Sequence, residues 1–156
     1  MRRIKLTQGK FTLVSDIDYA YLNQWKWFYS QGYVGRNVYF PKHTSVWMHR
    51  VILERMGFKN FKRTDHKDGK TLNNCRINLR PATYTENARN QRKRINNTSG
   101  YKGVSWHRHN KKWVVQIMWG GKRKCLGYFN TKICAAKEYN RAVKQHYGKF
   151  AKVNIL

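Results

Sequence analysis

The sequence predicts an α+β protein in two parts. A mixed N-terminal unit covers residues 1–90, and a C-terminal unit over 99–156 packs one helix on a three-stranded antiparallel sheet, with a basic linker at 91–98. Three observations predict this. Short β-branched and aromatic runs in the first ninety residues are separated by Gly and Asn. Thr83-Tyr84-Thr85-Glu86 has the T-x-x-E form of a capping box. The alternating run WVVQIMW is followed by Gly120-Gly121, a hairpin turn signal, and a second strand-like run, KRKCLGYF.

Taken in order, FTLVS and YVGRNVYF read as strands. VWMHRVILERMGF starts as a strand and turns helical, with Val51, Ile52, Arg55 and Met56 at helical spacing before Gly57 ends it. TDHKDGKTLNN is loop-rich, and RINLRPA is a short extended piece ending near a proline. The capping box places a helix start near Tyr84, with Thr83 accepting from the first turn. ARNQRKRINNT is polar and basic without apolar periodicity, which suits a linker that follows a phosphate backbone. In the second unit, Thr131 caps a helix from about Lys132 to His146, stopped by Gly148. Its apolar positions Ile133, Ala136, Tyr139 and Val143 recur at intervals of three and four.

The charge balance narrows the partners. Lys and Arg number 33 against 7 Asp and Glu, a formal net charge of +26. Nucleic acid is the expected counter-charge, with binding that weakens steeply as salt rises. The basic residues are spread along the chain and the apolar stretches are short, so a membrane-surface helix is the poorer fit. No stretch has the length of a membrane span, and MRRIKLTQGK has no apolar run behind its basic start, so no signal peptide is expected. Six Trp and 15% aromatic residues supply material for packed cores. Cys75, Cys125 and Cys134 are odd in number and widely spaced, which fits a reducing compartment rather than a disulfide framework or zinc ribbon.

The stretch with most chemical content is TDHKDG, residues 64–69, where Asp65 and His66 stand before an Asp-Gly turn. An Asp-His pair by itself is an ordinary feature of a polar loop. Here it is followed at fixed distances by Asn78 in NNCRINLR and by Asn87 in the capped helix. VWMHR, DHKDGKTLNNCRINLR and TYTENARN together resemble the HNH nucleases of the phage homing-endonuclease branch over roughly residues 45 to 90. That resemblance implies a ββα-metal fold gripping one divalent cation. It implies His66 as the general base that activates water, Asp65 and Asn87 as metal ligands, and Asn78 as the residue that braces the loop and orients the His66 ring. The family's final histidine is replaced here by Asn87, as occurs in the homing-endonuclease branch. The residue chemistry agrees with these roles. An imidazole titrates near neutral pH and accepts a proton from water there. Carboxylate and carboxamide oxygens suit a hard cation such as Mg²⁺ or Mn²⁺, which stabilises charge on the leaving oxygen. His49 reads as a structural histidine at a strand–helix junction, His43 as a loop residue and His146 as a helix end.

Residues 99–156 contain no cluster of active-site type. Their phrases YKGVSWH, KKWVVQI, CLGYFNT, AAKEYNRAV and YGKFAKVN resemble, in order, the APETALA-two/ethylene-response-factor DNA-binding domain. The resemblance implies a sheet laid into the major groove with the helix behind it. Trp113, Val115 and Ile117 are then expected to face the helix, and Val114, Gln116 and Met118 the DNA. Lys102, Ser105, His107, Arg123 and Cys125 fall at further contact positions. Ser105, His107, Met118 and Cys125 stand where that family often has arginine or tryptophan, so its target sequence does not carry over.

The combined expectation is a monomeric, site-selective endonuclease acting on double-stranded DNA. It nicks by a one-metal mechanism with one Mg²⁺ or Mn²⁺ per site, is encoded by a phage or mobile element, and works in the cytoplasm of a bacterial host. The alternatives are a DNA-binding regulator whose nuclease half is inactive, and a basic RNA-binding protein, which leaves the spaced Asp-His, Asn and Asn unexplained.

Overall fold

Four small sheets and four α-helices make the protein α+β in the computed structural model, which describes residues 1–156. The chain forms two units, Met1–Asn87 and Ala88–Leu156.

In the first unit, β1 (Arg2–Lys5) pairs antiparallel with β2 (Phe11–Val14), and α1 (Asp16–Leu22) follows. β3 (Phe28–Ser30), β4 (Tyr33–Val38) and β5 (Thr44–Trp47) form an antiparallel meander that runs directly into α2 (Met48–Arg55). β6 (Arg63–His66) comes next, then the two-residue β7 (Asn73–Asn74), which joins the edge of β2 in parallel. β8 (Leu79–Ala82) pairs antiparallel with β6, and α3 starts at Tyr84 and ends at Asn90. The boundary between the units thus falls inside α3. One core collects a few residues from nearly every element: Ile4, Val14, Leu22, Val34, Met48, Ile52, Leu53 and Leu79, with Trp27. Helix α2 supplies three of these, Met48, Ile52 and Leu53; of the positions its spacing marks, Ile52 is in the core, Val51 and Met56 pack against it half-buried, and Arg55 is exposed. Gly57, with φ of 89°, ends the helix in a conformation that favours glycine. At Gly35 a side chain would meet the rings of Phe28 and Trp47, so the glycine allows these two aromatics to close over the middle of the meander.

Helix α3 opens with the expected capping box. Thr83 N–H donates to the Glu86 carboxylate at 2.8 Å, and Glu86 N–H donates to Thr83 Oγ1 at 3.2 Å.

In the second unit, β9 (Val104–His107), β10 (Lys112–Trp119) and β11 (Lys122–Phe129) form an antiparallel sheet in the order β11-β10-β9. Gly120 and Gly121 both have positive φ, 58° and 72°, as a tight hairpin needs. Helix α4 (Lys132–Tyr147) is capped by Thr131, whose Oγ1 accepts from Cys134 N–H at 3.1 Å. The core under it holds Val104, Val115, Ile117, Ala136, Tyr139 and Val143. Two expectations need correction. Ile133, placed on the core face by spacing, is exposed, because the buried face of the helix is centred on Ala135, Ala136, Tyr139, Ala142 and Val143, and Ile133 lies round the side of it. Val114, expected to face DNA, is 4% exposed, because it sits on the central strand between Ser105 and Tyr128. Residues of the basic stretch after α3 make bonds in this unit: Lys102 Nζ donates to Arg89 O at 2.7 Å and to Gln91 O at 2.5 Å, and Asn97 donates to Tyr101 O.

Candidate active site and nucleic-acid interface

Strand β6 carries Asp65 and His66 at its C-terminal end, where the sequence reads as a loop. The strand forms because Thr64, Asp65 and His66 pair with Pro81, Arg80 and Leu79 of β8. The turn behind them closes with Gly69 N–H donating to His66 O at 2.8 Å, with Gly69 at φ 70°. Asp65 is 2% and His66 6% exposed. Both polar side chains are therefore withdrawn from bulk water and depend on protein partners.

Arg80 supplies the partner of Asp65. Its Nε donates to Asp65 Oδ2 at 2.6 Å, across the strand pair. His66 Nε2 lies 3.2 Å from Asn74 Oδ1. Burial pushes the His66 pKa down from its ordinary value, and the Asn74 bond together with the Asp68 and Asp65 carboxylates pulls it back in part. The ring of His49 stands edge-on to that of His66, with 5.6 Å between centroids, and Tyr33 lies 6.4 Å away. Burial, then the His66 and Arg50 charges, push His49 down to about 3, so it is a neutral ring at physiological pH. The sequence places His49 at a strand–helix junction, where the structure has it, in the first turn of α2. Its contact with His66 is not legible from that position.

Asn78 braces the loop. Its Oδ1 accepts from Asp68 N–H at 3.0 Å, and its Nδ2 donates to Asp68 Oδ1 at 3.0 Å and to Asn73 O at 2.7 Å. Asp68 also accepts from Lys70 N–H and Asn73 Nδ2. Burial raises the Asp68 pKa, but the bonds from Lys70, Asn73 and Asn78 together outweigh it and hold the carboxyl below its ordinary value. Asn74, which nothing in the spacing singles out from the polar loop around it, is the residue whose side chain meets His66 Nε2. Thr12, 0% exposed on β2, stands behind Asn74.

A second anchor ties this loop to the N-terminal elements. Arg76 donates from Nε and Nη2 to the two oxygens of Asp18, each at 2.7 Å, while its backbone N–H donates to Ser15 Oγ. Arg55 of α2 donates to Asp18 Oδ1 at 3.0 Å.

Asn87 lies one turn into α3 and is half-buried. Of the two residues expected to hold a metal, Asp65 has its Oδ2 held by Arg80 and Asn87 presents a half-buried carboxamide. No group of three or more His, Cys, Asp or Glu is gathered anywhere. Carboxylate and carboxamide oxygens are donors of the type a hard cation such as Mg²⁺ takes, unlike the Cys and His donors of structural zinc sites.

In the second unit, the strand register puts Ser105, His107, Gln116, Met118, Arg123 and Cys125 on one face, opposite the helix. Gln116 pairs with Cys125, Met118 with Arg123, and Ser105 with Val114. A register shift after Val115 leaves Leu126 as the extra residue, and it packs toward the core. Ser105, Met118, Arg123 and Cys125 are exposed; His107 and Gln116 are half-buried. Lys102 is set apart from this face. Its ammonium is spent on the two carbonyls of residues 89 and 91, and burial, with the Lys152 charge, lowers it to about 8. Beside it, Arg92, Lys93, Arg94 and Asn97 line a groove that also reaches Ser105.

No helix is long and apolar enough to cross a membrane. No protein-family model matches the chain, and no solved structure matches it significantly. The chain is similar to protein 3.8 of Escherichia phage T7, with 41% identity over 59 residues. The aligned part is 38% of this chain and 49% of that protein, so the chain spans about half the length of the curated relative it matches.

Proposed function

We propose that the chain is a site-selective DNA endonuclease that nicks duplex DNA by metal-assisted hydrolysis. The carrying observation is the arrangement at the end of β6: a buried imidazole, fastened at one nitrogen by Asn74, next to a buried carboxylate and followed across β8 by the helix that bears Asn87. The strand–strand–helix order of β6, β8 and α3 supports the HNH, ββα-metal reading. A phage source fits the likeness to the phage T7 protein.

In this reading His66 is the general base. It is buried in a neutral form with one nitrogen anchored, so its other nitrogen takes the proton of a water attacking a phosphodiester. Asp65 and Asn87 would hold one Mg²⁺ or Mn²⁺, which supplies charge neutralisation at the phosphate and the leaving oxygen when bound. Asn78 keeps the turn after His66 in shape by clamping Asp68. The second unit selects the site through the face bearing Ser105, His107, Gln116, Met118, Arg123 and Cys125, while the basic groove of Arg92, Lys93 and Arg94 follows the phosphates. The protein acts as a monomer in the cytoplasm of its bacterial host, and tethering the two units raises the local concentration of the nuclease at its target.

The test is nicking of supercoiled plasmid carrying DNA from the gene's neighbourhood, with Mg²⁺ and with chelator, beside His66→Ala. Metal-dependent nicking that His66→Ala reduces by about 10²-fold or more, with gel-shift binding unchanged, is expected. Tight binding without nicking in Mg²⁺ or Mn²⁺ overturns the enzyme and leaves a DNA-binding regulator.

A further inference from the structure

We propose that Thr12 and Asn74 together set the tautomer of His66, holding the proton on Nε2 and the lone pair on Nδ1, so that the N-terminal hairpin positions the base. The catalytic meaning of this lock rests on the nuclease reading. The lock itself rests on hydrogen-bond direction alone.

The direction can be followed from a group whose role is beyond choice. Leu72 O is a carbonyl and only accepts. Thr12 Oγ1 lies 2.8 Å from it, so the single hydroxyl proton of Thr12 is spent there. The same Oγ1 lies 2.8 Å from the Asn74 amide. With its proton already used, Oγ1 faces that amide with a lone pair, and the amide atom opposite must be the nitrogen. The second hydrogen of this nitrogen points to Thr71 O at 3.5 Å, another carbonyl that only accepts. Asn74 is thereby fixed in one of its two amide orientations, which differ only in the exchange of oxygen and nitrogen. Its oxygen is turned to His66 Nε2 at 3.2 Å. An amide oxygen only accepts, so Nε2 carries hydrogen, and a neutral ring then has its lone pair on Nδ1.

The surroundings make the direction binding. Thr12 and Asn74 are 0% exposed, so no bulk water offers an alternative partner. The two residues are held together by backbone pairing: β2 and β7 run parallel, with Leu13 opposite Asn73 and Val14 opposite Asn74, and Leu13 N–H donates to Leu72 O at 2.9 Å. The short β7 strand is what brings a residue of the catalytic loop onto the N-terminal hairpin. A base must present its lone pair at the atom that faces the attacking water, and an imidazole in the wrong tautomer keeps its geometry while losing its function. Thr12 acts only through Asn74, and Asn74 only through His66, so both are positioning residues.

The experiment is two-bond ¹H–¹⁵N correlation NMR on the full chain, metal-free and with labelled histidine, with the His66 signals identified by their loss in His66→Gln. The native protein is expected to show Nε2–H at His66. Thr12→Ser, which keeps the hydroxyl, should show the same. Thr12→Val, which keeps the shape and removes the hydroxyl, frees the amide to turn and should give a mixture of tautomers with the fold intact by circular dichroism. Nicking in Mg²⁺ should fall at least about tenfold in Thr12→Val and recover in Thr12→Ser. Nδ1–H in the native protein, or an unchanged Nε2–H in folded Thr12→Val, overturns the lock. The expected NMR pattern with no nicking by any form upholds the lock and removes the nuclease reading instead.

Discussion

Arg80 stands directly opposite Asp65 on the β6–β8 pair, and its Nε and Nη2 both lie 2.6 Å from the same carboxylate oxygen, Oδ2. The pair is almost closed to solvent, with side-chain exposures of 12% for Arg80 and 3% for Asp65. Removing the guanidinium leaves a buried carboxylate without its counter-charge. Arg80→Ala should destabilise the first unit by about 3–5 kcal/mol in urea unfolding. If Asp65 is a metal ligand, Mg²⁺ should then restore more of the lost stability in Arg80→Ala than it adds to the native protein. Equal increments in both would detach Asp65 from the metal.

Asp18 gives a pH dependence with a definite sign. Its carboxylate is wholly buried and grips Arg76 and Arg55. Burial raises its pKa, but the hydrogen bonds and charges of Arg76 and Arg55 prevail and hold it below the ordinary value. A carboxyl lowered on folding contributes stability that is present above its unfolded pKa and disappears as pH falls through the folded one. Native stability should therefore drop on acidification below about pH 4, the ordinary carboxylate range. Asp18→Asn should lose about 3 kcal/mol at neutral pH and show a shallower acid limb.

The second unit separates two kinds of lysine and arginine. Arg123 is exposed on the face opposite the helix, whereas Lys102 is turned inward to backbone carbonyls. Arg123→Ala should lower the slope of log affinity against log salt by about one unit for duplex DNA. Lys102→Met should leave that slope in place and instead lower the melting temperature, by releasing residues 89–91. A salt-slope change in Lys102→Met would return that residue to the phosphate-contacting set.

Gly103 has φ of 75°, and a side chain there would overlap the Tyr139 ring at Cδ2 and Cε2. Tyr139 is buried under the sheet and has no room to retreat. Gly103→Ala should cost about 3 kcal/mol or more, combining overpacking with an unfavourable backbone conformation. Urea unfolding followed by far-ultraviolet circular dichroism would register it as a lower midpoint for the second unit.

Much of this architecture was legible because the signals were local. The T-x-x-E box, the double glycine after WVVQIMW and the Thr131 cap each act within a few residues, and each lies where the spacing puts it. Elements held by distant partners were not legible. Strand β1 reads RRIK, in which only Ile4 is apolar and buried, so no alternation announces it. Helix α1 is defined less by its periodicity than by Asp18, whose partners lie 37 and 58 residues further on. The same division holds at the candidate site. Asp65, His66, Asn78 and Asn87 are marked by their spacing. Asn74 and His49 meet His66, and Thr12 meets Asn74, only through the pairing of β7 with β2 and the packing of α2, and a single sequence carries no trace of either.

The parallel contact between β7 and β2 also bears on how much of the chain the candidate site needs in order to fold. The residues that carry the recognisable motif occupy a short stretch in the second half of the first unit, yet Thr12, Ser15 and Asp18 from the opening of the chain are fastened to it. A fragment that began at Arg63 would leave those fastenings behind. The smallest fragment that keeps all of them is the first unit, Met1–Asn87, carried on to the end of α3 at Asn90.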